Sequence, residues 1–137
     1  MAELATAAVF TWLGMVIAIS FLETPLKFRA PGITVPLGLG IGRLVFRALN
    51  MAETVLAVLV VIALATGSPA GRVWIAAAVA GACLLVQMAV VSAPLNRRAA
   101  AVIAGDPVPP SRIHLAYIAL EVIKVIALIT TGTLLLS

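Results

Sequence analysis

His114, Tyr117, Glu121 and Lys124 follow one another at spacings of +3, +4 and +3. On an α-helix those spacings stack the four side chains along one face for about three turns. The residues between them, from Leu115 to Ile123, are otherwise apolar. Arg43, Phe46, Asn50 and Glu53 carry a second stripe at the same spacing. An imidazole or carboxylate tuned by burial and neighbouring charge transfers protons near neutral pH. Such groups suit a proton-coupled carrier or an acid/base step on a lipophilic molecule. Glu53 and Glu121 are the expected proton or cation acceptors, with Arg43 and Lys124 as their counter-ions.

Three further residues belong to the candidate set. Glu23 lies beside Lys27 and Arg29, which fits either a local ion pair or a place in a buried site. Gln87 fits a hydrogen bond across helices. Asn96 precedes Arg97 and Arg98, which anchor to headgroups. A metal centre is not expected, because no Glu-x-x-His pair of the carboxylate-bundle kind occurs. The lone Cys83 forms no intrachain disulfide.

The elements that position these side chains follow from composition. The chain of 137 residues is 64% hydrophobic and only 10% charged, against about 25% charged residues in soluble domains. Four windows reach the roughly 20 apolar residues that a membrane crossing needs: 4–26, 48–66, 73–93 and 113–136. The expected fold is an all-α, four-helix transmembrane bundle forming a single polytopic domain over 1–137. The first window lacks a basic n-region and a small-residue cleavage site, so it reads as a retained helix.

Pro25 reads as a kink or an end of the first helix, and the Pro94–Arg98 stretch as the end of the third. The glycine-rich stretch Gly38–Gly42 lacks the strand-turn-helix context of a dinucleotide fingerprint and the Lys-Ser/Thr of a phosphate loop. It reads instead as a short interfacial or re-entrant segment, with the second helix starting as early as Ile41. No internal repeat or low-complexity tract is evident over the whole chain.

Orientation follows from the loops. The first connection holds Lys27, Arg29, Arg43 and Arg47, and the third holds Arg97, Arg98 and Arg112. The second holds Arg72 alone. The positive-inside rule therefore puts the first and third connections in the cytoplasm and both termini outside, in a bacterial inner membrane. The net charge of +4 comes from the same loop bias, and the partner it implies is the bilayer rather than nucleic acid.

Pro25 near the end of the first helix, Pro94-Leu95-Asn96 followed by arginines, and His114 opening the fourth helix resemble the small four-helix anthrone-oxygenase-like membrane family. That resemblance implies a four-helix bundle and, for some members, cofactorless oxidation of polycyclic aromatics. The leading expectation from the residues themselves is a small membrane binding or transport protein. Its charged site would lie in the cytoplasmic half, and four helices enclose so little volume that a homo-oligomer or partner subunit is expected. A membrane oxidoreductase acting on a quinone-like or polyaromatic substrate is the first alternative. A structural subunit of a larger complex, with the polar stripes as interhelical glue, is the second.

Overall fold

The computed structural model describes residues 2–109 and 111–137. Four long helices carry nearly all of them: α1 (Ala2–Lys27), α2 (Val35–Gly67), α3 (Gly71–Ile103) and α4 (Ile113–Leu136). Each is long and apolar enough to cross a membrane. At 1.5 Å per residue, α2 and α3 run about 50 Å, well past a hydrocarbon core of about 30 Å. Large apolar side chains such as Leu44, Met51, Ile75 and Ile126 lie on the outside of the bundle. That is the surface a lipid-solvated protein presents, since lipid tails solvate Leu and Ile as well as a protein core does.

α2 starts earlier than hydropathy alone indicates. Thr34 caps it, its hydroxyl accepting the Leu37 N–H at 3.2 Å. Pro36 sits in the first turn, where no backbone donor is needed. The segment 35–47 is therefore continuous helix and not re-entrant. Its glycines still serve close approach: a Cβ at Gly38 would overlap the Phe28 ring at the end of α1. α2 stops where Ser68 turns left-handed, at φ 48°.

Pro94, expected to end the third helix, lies inside it, and Pro25 likewise does not end the first. α1 passes through a wide π turn at Ile17–Glu23 and continues past Pro25 to Lys27. α3 passes through another at Gln87–Val91 and continues past Pro94 to Ile103. In each, the residue after the π turn donates five residues back, Thr24 to the Ile19 carbonyl and Ser92 to the Gln87 carbonyl. The hydroxyl of the same residue donates to the same carbonyl, at 2.9 Å from Thr24 and 2.6 Å from Ser92. The ladder is thus re-registered just before each proline, which lacks the N–H that an α ladder would require. α3 ends where Gly105 adopts φ 82° and the Asp106 N–H closes back on the Ala101 carbonyl.

The bundle is solid at one end. Ala5, Val9, Trp12 and Val16 of α1 pack against Val60 and Leu64 of α2, Ala80 and Leu84 of α3, and Leu128 of α4. Small residues set the spacing here, and Gly132 admits the Phe10 ring, 2.6 Å from where a Cβ would stand. The opposite end, toward the first and third connections, is hollow.

The two halves of the chain repeat one plan. Each pairs a π-turned, proline-containing helix with a striped one. Phe46, Asn50 and Glu53 on α2 share the +4, +3 spacing of Tyr117, Glu121 and Lys124 on α4. Two of these pairs meet across the bundle. The Phe46 and Tyr117 rings stack edge to face with centroids 5.6 Å apart, and Glu53 pairs with Lys124.

Candidate functional site

The stripes of α2 and α4 converge on a buried ion cluster near mid-bundle. Lys124 has three N–H donors and uses all of them. Its Nζ lies 2.7 Å from Gln87 Oε1, 2.6 Å from Glu53 Oε1 and 2.5 Å from Glu121 Oε1. The Trp12 indole N–H donates to Glu53 Oε1 at 2.8 Å, and Gln87 Nε2 donates to Glu121 Oε1 at 2.8 Å. The Ser20 hydroxyl donates to Glu121 Oε2. All four helices therefore contribute a side chain to one network, whose Glu53, Gln87 and Lys124 have no exposed surface.

The charges in that network do not balance. Two carboxyl groups share one ammonium, which leaves one negative charge over when both are ionised. An ion at membrane depth costs about 2.5–3.5 kcal/mol even on the lenient insertion scale. Glu53 takes both of its hydrogen bonds on Oε1, and its buried Oε2 has no partner among the described residues.

Glu121 also faces a cavity of about 1160 Å³ that occupies the hollow end. Its lining on α2 runs from Gly38 to Val55, about 25 Å of helix. The walls are mainly apolar, with Phe21, Phe46, Leu95 and Ile118 among them. Ser20 and Glu121 lie where the wall meets the ion cluster, and Lys27, Arg43, Arg47, Arg98 and His114 also line the cavity. Between these, Tyr117 and Asn50 line the wall, and both the Tyr117 hydroxyl and Asn50 Oδ1 are buried without a partner among the described residues. Hydroxyl and amide groups buried in this way are normally satisfied, so these two are free to bond a guest.

The ten candidate side chains thus divide into three groups. Glu53, Gln87, Glu121 and Lys124 form the buried cluster. Asn50, Tyr117, Arg43, Asn96 and His114 line the cavity. Glu23 stands apart, paired with Lys27 at 3.6 Å one turn on, which is the local ion pair of the two roles open to it. Arg43 does not neutralise either buried acid: it makes no ion pair among the described residues, and Lys124 serves both carboxylates.

Trp12, Ser20 and Lys27 join the site without having stood out as candidates. Trp12 breaks the aliphatic texture of α1, and an indole at bilayer depth needs an acceptor for its N–H. Ser20 gives no comparable signal, because a hydroxyl in a transmembrane helix ordinarily bonds its own backbone.

Fold and site together define a small integral membrane protein: a four-helix bundle with a cross-linked ion cluster at its centre and a deep apolar cavity at one end. The chain matches no protein-family model, no curated protein and no solved structure.

Proposed function

We propose that this protein binds a lipophilic small molecule within the membrane and couples its occupancy to a proton or cation at the Glu53–Lys124–Glu121 cluster. The observation that carries the reading is that a cavity of about 1160 Å³ reaches the Glu121 carboxyl, one of two acids sharing one lysine. A guest beside Glu121 changes the solvation of that carboxyl, and through Lys124 it changes the balance at Glu53. Carriers use the same linkage to exchange a proton for a substrate.

The loop charges, seven basic residues in the first and third connections against one in the second, support a bacterial inner membrane with both termini outside. In that orientation the cavity opens toward the cytoplasmic leaflet. Passage across the membrane then requires a second copy or a partner subunit to complete the route from the solid end.

The test is native mass spectrometry of the protein gently extracted from its own membrane, compared with its Glu121→Gln variant. A bound small molecule present in the first and lost in the second is the expected result. Copurification of stoichiometric partner subunits with no ligand in either would overturn the reading and make the cluster an assembly device.

A further inference from the structure

We infer that the occupant of the cavity is a lipid phosphate monoester, its headgroup held by Arg43 and Arg47 and its hydrocarbon lying against the apolar wall toward Glu121. This rests on the ligand-binding reading above and names the chemical class of the ligand.

Charge carries the first part of the inference. Of the basic side chains lining the cavity, Lys27 is paired with Glu23 at 3.6 Å. Arg43 and Arg47, one turn apart on α2, have no acidic partner among the described residues, and neither has Arg98. Arg98 instead donates to the Pro109 carbonyl. A phosphate monoester carries about −1.5 to −2 charges near neutral pH and accepts paired guanidinium donors. A single carboxylate would leave more of this positive charge uncompensated.

Dimension carries the second part. The lining spans about 25 Å of α2, close to the roughly 20–22 Å of one bilayer leaflet with its headgroup region. The volume exceeds the roughly 300–1,000 Å³ of ordinary small-molecule pockets.

Polar detail carries the third. Tyr117 is 7% exposed and its hydroxyl has no partner among the described residues, on the wall shared with Asn50. Asn50 lies two helical turns beyond Arg43, about 10 Å along α2. The ester oxygens of a lipid whose phosphate sits at Arg43 fall in this stretch, where the phenol O–H donates to them.

The full chain in neutral detergent would be titrated with phosphatidate, with diacylglycerol bearing the same acyl chains, and with inorganic phosphate as competitor, and read by native mass spectrometry. One phosphatidate per chain, bound at least tenfold more tightly than diacylglycerol, is expected. Arg43→Gln with Arg47→Gln should abolish that preference while leaving diacylglycerol retention unchanged, and Arg43→Lys should restore most of it. Tyr117→Phe should weaken both lipids alike.

Equal retention of the two lipids would overturn the phosphate assignment and leave the ligand-binding reading standing. Displacement of phosphatidate by millimolar inorganic phosphate would show that the arginines hold free phosphate and that no lipid is required. Retention of neither lipid would overturn both this inference and the reading beneath it.

Discussion

Lys124→Met is the sharpest test of the buried cluster. The methionine keeps most of the lysine's volume and removes its charge, so any loss reports on the ion cluster more than on packing. Truncating one member of a buried ion pair costs about 3–5 kcal/mol, because a charge is left uncompensated. Here two carboxyl groups lose their common partner at once. Their Oε1 atoms each lie within 2.6 Å of Nζ, so they are at most about 5 Å apart. At an effective dielectric constant near 20, two negative charges at that distance repel by about 3 kcal/mol. Uptake of a proton by one acid removes the repulsion but not the lost hydrogen bonds. The net expectation is a destabilisation of about 3–5 kcal/mol, which lowers the melting temperature by roughly 10–20 °C for a chain of this size. Size-exclusion recovery after heating in detergent measures it. Adding Glu53→Gln to Lys124→Met should return about half the loss, since a single acid then remains, held by Ser20 and Gln87. A Lys124→Met protein within about 1 kcal/mol of wild type would refute the idea that these charges depend on one another.

Other outcomes follow from the same geometry. Gly132→Val should cost about 1–3 kcal/mol in the same melting assay, because the new side chain meets the Phe10 ring. Trp12→Phe removes one donor to a buried carboxylate and should cost about 1.5–3 kcal/mol. His114→Ala leaves the fold intact, as His114 is exposed at the start of α4, and should leave lipid retention within about twofold. If instead it abolished turnover of an added quinone-like substrate, the oxidoreductase reading would gain ground. Orientation is checked in a Cys83→Ala background with Ser137→Cys or Ser111→Cys. An impermeant thiol reagent should label the first from outside intact cells and the second only after permeabilisation.

The parts of this fold legible in the sequence are those set by local composition. Each of the four apolar windows lies within an observed helix, and the α4 window matches its span end to end. The stripe on α4 brings Tyr117, Glu121 and Lys124 to the bundle interior because a 3.6-residue period fixes which residues share a face. What escaped was set by neighbours. Pro25 and Pro94 carry the ordinary stop signal, but a π turn and a hydroxyl ahead of each absorb it, and nothing in a hydropathy profile encodes a five-residue ladder. The choice of counter-ion was also hidden. Arg43 and Lys124 are equally plausible partners for Glu53 by spacing, and only three-dimensional packing puts Lys124 between both acids and Arg43 at the cavity wall.

The repeated plan of the two halves explains why the centre of this bundle is charged. At two matching positions the halves meet in the middle of the bundle. Phe46 against Tyr117 solves that encounter with aromatic packing. Two steps deeper, past Asn50 and Glu121, identical residues would be unfavourable whether both were acidic or both basic, since like charges in a low-dielectric interior repel strongly. The pair present is Glu53 with Lys124, opposite in sign, and Gln87 braces it from α3 as Trp12 does from α1. This pairing requires the halves to differ at that position, because two copies of either one would bring like charges together. Glu121 then enters as the odd member. It matches Asn50, a neutral residue on the other half, and so brings a carboxyl with no counterpart to cancel it. One of the two acids that share Lys124 thus also faces the cavity, where a guest can act on the pair.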